Sequence, residues 1–289
     1  MMGPHHAACG AASWVLIAAD HHVPIRPPAE LEIPVLQAAT AGLPETLPLG
    51  FGLLDGITDL GVLAGAVVAA GAALLPDADH HNASIAHSLP PVSEWLCRVI
   101  GRISGGHRNG THSLLGVAVS MLVAWLLSRL SVTIEAGTLQ IGAGAMTVVL
   151  ASFAVKTLHF LPEAARKAPW LLGLLLGGLV AVGLGEQGWW FVLAVGLGAA
   201  VHIAGDMLTD GGCNLLWPVA LTPPRGFRRL PVLGALWSSG GRMALPLLGR
   251  SGSAREWIVA VAVSVVAAVG MLAALATALG DGARLLLAR

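Results

Sequence analysis

Four short clusters of histidine and aspartate stand out in this sequence. The first is His5-His6, followed by Gly10. The second is Leu74-Leu75-Pro76-Asp77-Ala78-Asp79-His80, where an apolar run ends. The third is Gly106-His107-Arg108-Asn109-Gly110-Thr111-His112-Ser113, just before the next apolar run. The fourth is His202-Ile203-Ala204-Gly205-Asp206-Met207-Leu208-Thr209. A donor set of imidazoles and carboxylates without thiolates suits Zn, Mn or Fe(II) in a reactive site better than a structural zinc ribbon. Cys9, Cys97 and Cys213 are far apart and form no C-x-x-C pair, so they suggest neither a disulfide framework nor a cysteine-rich metal site.

The spacing within each cluster limits what it can do. His202 and Asp206 fall one helical turn apart and share a face. They sit in an apolar run, where ionisable side chains are costly and usually functional. The plain alternative is a hydrogen-bonded pair that only ties helices together. Asp77 and Asp79 follow Pro76 and could instead be ordinary turn residues. His107 and His112 straddle an Asn-Gly turn, so one can be a ligand while the other supports it or moves a proton. Thr111 or Ser113 is placed to cap the helix that follows. Arg108 could form paired bonds to a phosphate or carboxylate, or serve only as an interfacial charge. The segment offers no Ser–His–Asp or Cys–His arrangement, so the expected nucleophile is a water whose pKa a metal lowers toward about 7.

The elements that must carry these clusters are apolar. Hydrophobic residues make up 55% of the 289 positions, charged residues only 11%, and mean hydropathy is +0.77. A soluble domain has about 25% charged residues, and a chain this poor in charge could not cover a wetted surface. Net charge is zero, which gives no reason to expect a nucleic-acid partner. The N-terminus lacks the basic stretch that opens a cleaved signal peptide. Runs at 257–280, 114–130, 138–160 and 189–208 are candidate spans, those at 170–185 and 61–75 are shorter, and 7–19 is the weakest. A spanning helix needs roughly 17–25 residues. The expected fold is therefore all-α, a polytopic membrane helix bundle of about six to seven spans. The abundance of Gly and Ala in these runs suggests close helix packing.

Lysine and arginine give the orientation. The segment 20–59 is acidic, with Asp20, Glu30, Glu32, Glu45, Asp55 and Asp59 against Arg26. Basic residues gather in 77–111 (Arg98, Arg102, Arg108), in 156–170 (Lys156, Arg166, Lys167) and in 209–256 (Arg225, Arg228, Arg229, Arg242, Arg250, Arg255). With about seven spans these three basic loops share one side, and the positive-inside rule makes it cytoplasmic. All four His/Asp clusters then fall at that side, so residues far apart in sequence can converge. His21, His22, His81, His87 and His159 are read as surface or interfacial residues.

These motifs resemble the YdjM-type family of inner-membrane metal-dependent hydrolases. The matching pieces are His6-x-x-x-Gly10, Leu-Leu-Pro-Asp77-x-Asp79-His80, Gly-His107-Arg108-x-x-Thr111-His112-Ser113, and His202-x-x-x-Asp206-Met-Leu-Thr209 followed by Leu-Leu-Trp217-Pro218. A remoter similarity is to the zinc-dependent phospholipase C and zinc nuclease superfamily. The resemblance implies His6, Asp77, His112, His202 and Asp206 as metal ligands, with His80 a further candidate. Asp79, His107 and Arg108 would act in catalysis beside them. That superfamily's further His-x-x-x-Glu pair has no evident counterpart, which favours one or two ions over three.

The leading expectation is thus a single membrane domain over 1–289 that hydrolyses a phosphoester or lipid at the cytoplasmic membrane face. Its motif-bearing region covers about 1–220, and a C-terminal loop and final span cover about 221–289. Its cofactor would be a divalent ion, zinc in the first place, with Mn or Fe as alternatives. Its partners would be the lipid bilayer and a phospholipid or other membrane-associated substrate. The rival readings are a transporter or ion-conducting protein with a His/Asp relay, which would place ionisable groups near mid-membrane, and a metal-stabilised scaffold.

Overall fold

The computed structural model describes residues 1–24, 26, 33–83, 85–88, 91–135, 137–158, 168–183, 188–224, 236–238 and 240–287. Glu30, Glu32, His159, Arg166, Lys167, Glu186, Arg225, Arg228 and Arg229 lie outside the described residues.

Thr58 caps α3 (Asp59–Ala72), its hydroxyl accepting the Gly61 amide at 3.2 Å. This helix runs through the middle of the molecule. Against it pack α1 (Gly3–Ala18), α6 (Ile141–Thr157) and α8 (Trp189–Met207), together with the long final helix α9 (Ala254–Leu287). The pair α6 and α7 (Ala168–Gly183) forms a second tight contact, and α5 (Leu114–Ser128) lies along α8. Three helical stretches are long and apolar enough to cross a membrane, Asp59–Asp79, Trp189–Met207 and Ala254–Gly280. Leu114–Ser128, Ile141–Thr157 and Pro169–Gly183 are shorter apolar helices. The described chain is therefore mostly helical, with fewer helices of full spanning length than the hydropathy pattern suggests.

The weakest apolar run in the sequence is one of the most enclosed helices. Along α1, Ala7, Trp14 and Val15 are fully buried. Its small residues score low in hydropathy but allow close approach. A methyl group at Gly10 would sit 2.5 Å from the Ala69 carbonyl oxygen of α3, and one at Gly198 on α8 would run into the same carbonyl. Both helices thus close on one point of α3 because both lack a side chain there. Trp14 lies over Gly65, and its indole N–H donates to the Gly61 carbonyl at 3.3 Å.

The structure departs from an all-α chain in two places. An antiparallel hairpin pairs β1 (His21–Pro24) with β2 (Thr46–Leu49), and α2 (Pro34–Thr40) lies between them in sequence. A second hairpin pairs β3 (Val132–Ile134) with β4 (Gly137–Leu139). Thr138, expected to open a span, is in β4, and α6 begins only at Ile141. The β-branched residues of this stretch favour extended backbone, and Gly137 takes a φ of 133° that suits glycine at the turn.

The polar segment 77–111 contains α4 (Val92–Ile103), an amphipathic helix. Cys97 and, just beyond its end, Ser104 are buried, whereas Val92, Trp95, Leu96 and Ile103 are exposed.

Candidate metal centre

Five helix ends converge at one end of the bundle. They are the beginnings of α1, α5 and α9 and the finishes of α3 and α8. Local sequence explains the turns. Pro4 sits in the first turn of α1, where a missing N–H costs nothing. Pro76 opens a 3-10 turn, Pro76–Asp79, at the end of α3. A second 3-10 turn, Gly110–His112, leads into α5. Of the two candidate caps for α5, Ser113 takes the position, its hydroxyl accepting from the Gly116 amide at 3.2 Å. Thr111 instead donates to Asp79 Oδ2 at 2.6 Å.

The innermost part of the cluster has four members. His112 Nε2 and His202 Nε2 are 3.1 Å apart. Asp77 Oδ1 is 3.7 Å from each of them. Asp206 Oδ2 is 3.6 Å from His112 Nε2 and 3.8 Å from His202 Nε2. Ligand atoms set tetrahedrally at about 2.1 Å from one ion are about 3.4 Å from one another. Asp77, His112 and His202 form one group whose ligand atoms could hold an ion, and Asp206 belongs with His202 to a neighbouring one. His112 and His202 are fully buried, and the Asp206 side chain is 3% exposed. The Asp77 side chain, 26% exposed, forms the open side.

The supporting contacts fix which ring nitrogens face inward. His202 Nδ1 donates to the Ala73 carbonyl at 2.6 Å, leaving Nε2 for the centre. His112 Nδ1 lies 3.2 Å from Asp79 Oδ2, so its Nε2 is likewise free. This carboxylate–imidazole arrangement is what orients histidine ligands at metal centres. Asp79 also bonds His107 Nδ1 through Oδ1 at 2.8 Å. It stands behind the four-atom set and joins a separate group with His107 and His112. Burial would lower the His112 pKa, but the Asp77 and Asp79 carboxylates outweigh it and push it up to about 9.

Asp206 also connects to α1. Its Oδ1 lies 3.2 Å from His6 Nε2 and contacts the amino group of Met1. The His6 ring stacks on His202 with centroids 3.6 Å apart. His6 is buried, and beyond the Asp206 contact at Nε2 its Nδ1 has no hydrogen-bond partner among the described residues. A buried ring nitrogen without a partner is costly. His6, His202 and Asp206 form a further group able to hold an ion. The His and Asp donors could therefore hold a metal ion.

Arg108 does not stand free. Its Nε is 3.3 Å from Asp206 Oδ2, and Nη1 donates to Gly212 O at 3.4 Å and Thr209 Oγ1 at 3.5 Å. Its backbone has a φ of 66°, uncommon for a side chain this large. The Asn214 amide donates to its carbonyl at 3.0 Å. His80 belongs to none of the three groups. Its ring stacks on His81 and lies edge-on to His107 with centroids 4.8 Å apart, and its Nδ1 accepts the Asn82 amide at 3.2 Å. His22, His81 and His87 are exposed. His21 differs from the expected surface residue, for it is partly buried and pairs with Asp59 at 3.2 Å.

Glu256 escaped the reading of the sequence. It is fully buried and bonds His5 Nδ1 at 2.5 Å, the Met2 amide at 2.7 Å and the Gly252 amide at 2.8 Å. The available signal was Ser253-x-x-Glu256, a helix-start pattern. Ser253 does accept the Glu256 amide at 3.2 Å, but the carboxylate serves the Met2–His5 end of α1.

A sequence model of the YdjM inner membrane protein family matches residues 1–279. No curated protein and no solved structure matches this chain.

Proposed function

This chain belongs to the YdjM inner membrane protein family, and on that premise we propose that it is a multi-pass metal-dependent hydrolase acting on a phosphoester at the cytoplasmic membrane face. The observation that carries this reading is the juxtaposition of buried His112, His202 and Asp206 with the partly exposed Asp77. Asp77, His112 and His202 would hold one ion. His6 and the Asp206 Oδ1 atom supply donors for a second. Zinc suits the donors and their spacing best, with Mn or Fe(II) as alternatives. A divalent ion supplies Lewis acidity and lowers the pKa of water.

The chain's own residues do the rest. Asp79 holds His112 with its Nε2 inward. The His107 side chain is 35% exposed and anchored to Asp79 through Nδ1, so Nε2 is available to carry a proton. Arg108, beside Asp206 Oδ2, can turn its guanidinium to an anionic oxygen of a substrate and bind it by two N–H groups. Conduction is the weaker reading, because the central turns of α3, α5, α6, α7 and α8 carry no ionisable side chain. With about six to seven spans, the positive-inside asymmetry supports a cytoplasmic site.

The test uses purified protein with bis(p-nitrophenyl) phosphate as a soluble probe, after chelation and after remetallation with Zn or Mn. Hydrolysis should vanish on chelation and return with metal. Turnover that survives complete metal removal would sink the reading.

A further inference from the structure

A cavity of about 520 Å³ adjoins the candidate centre. Its walls are almost wholly apolar, including Leu75, Ile100, Ile103, Leu115, Val119 and Val123. Its inner end is built by residues next to the candidate ligands. Pro76 and Ala78 flank Asp77, and Gly110 and Thr111 precede His112. Its outer end lies between α4 and α5, where Ile103 is 72% exposed and Val119 50% exposed.

The surroundings identify the occupant. The face of α5 beyond the cavity, with Leu122, Trp125 and Leu126, is exposed and apolar, a surface suited to acyl chains. Helix α4 has the form of an interfacial helix. Val92, Leu96 and Ile103 lie on one exposed stripe, and Arg98 and Arg102 are exposed beside it. Such a helix lies in the membrane plane with its apolar face among the chains and its cations near anionic head groups. The cavity therefore opens sideways between α4 and α5 at one end and is closed at the other by the turns that carry Asp77 and His112. Its volume falls within the roughly 300–1,000 Å³ of small-molecule sites.

The geometry points to a lipid-chain groove between α4 and α5 that admits one hydrocarbon chain of a membrane lipid and brings its head to the end of the groove beside the Asp77–His112 turns. This inference rests on the hydrolase reading for the fate of the head group, and it names the substrate class as a phosphoester carrying a long apolar chain. The chain would enter from the bilayer without crossing water, and its burial would hold the head beside the donors.

The experiment uses the full chain in nanodiscs and hexadecyl phosphate bearing a diazirine in its tail, photolysed and mapped by peptide mass spectrometry. Labelling should concentrate on residues 92–123 and be competed by unlabelled hexadecyl phosphate. Val119→Trp fills the groove at a half-exposed position and should cut that labelling about tenfold, the ratio for about 1.4 kcal/mol. Leu122→Trp makes the same change on the same helix outside the groove and should leave it intact. Labelling spread evenly over the apolar surface, or equal in the two variants, would overturn the groove. The assay reads binding rather than turnover, so groove labelling of a remetallated protein that hydrolyses no phosphoester would keep the groove and overturn the hydrolase reading.

Discussion

His112 and His202 face each other through Nε2 atoms 3.1 Å apart across 90 residues of sequence. Each is held there from behind, His112 by Asp79 and His202 by the Ala73 carbonyl. Two ring nitrogens this close need a proton or a cation between them, and with the His112 pKa raised to about 9 the proton is what a metal must replace. The first prediction follows from this. Purified protein should contain a transition metal by elemental analysis, and Asp206→Ala or His202→Ala should remove it. Asp206→Asn controls for the loss of volume and should also fail to load. Full metal content in all three variants would exclude this cluster as the site.

Asp79 acts through the histidines it orients. Asp79→Asn should keep the fold and lower metal affinity by about 10–100-fold, the usual effect of losing such a partner. Competition with a chelator of known affinity measures this. A larger loss, equal to that of a ligand variant, would make Asp79 a ligand itself.

Acidity should set metal loading. Folding raises the His112 pKa from 6.5 to about 9, so in metal-free protein this group stabilises the fold fully below pH 6.5 and loses that contribution as pH rises through about 9. A metal must displace the same proton. Chelated protein should therefore melt at lower temperature at pH 9 than at pH 6.5, while metal affinity rises over the same interval. His112→Gln should flatten the melting profile.

Close helix approach predicts a packing effect. A methyl group at Gly198 would collide with the Ala69 carbonyl, whereas one at Gly178 meets nothing within 4 Å. Gly198→Ala should destabilise by about 1–3 kcal/mol, the usual cost of overpacking. Gly178→Ala should be neutral to slightly stabilising, because Ala is the better helix former. Thermal unfolding in detergent compares them.

Orientation can be checked with reporter fusions. Fusions after Pro44, in the acidic segment, and after Arg250, in the basic segment before α9, should report opposite compartments. The same compartment for both would refute the proposed topology.

How much of this was legible follows from sequence distance. His202 and Asp206 are one turn apart, so their shared face could be read from spacing alone. Asp77 and His112 could be placed at one end because each borders an apolar run. The link between His5 and Glu256 spans 251 residues and joins a terminal helix to an acid that local pattern explains as a helix start. The burial of α1 was hidden for another reason. Hydropathy counts methylenes, and Gly10 contributes by having none. The character of α4 was hidden by averaging, since its arginines cancel its apolar face in any window.

The enclosure of α1 has a consequence for biosynthesis. The helix that carries His5 and His6 leaves the ribosome before the helices it packs against. Its partners α3, α8 and α9 follow over the next 250 or so positions. Until Asp206 and Glu256 have been made, His6 and His5 lack their carboxylates. The cluster is thus assembled only once α8 has been made, and a truncated chain that stops before α8 carries half of a binding site and none of its closure.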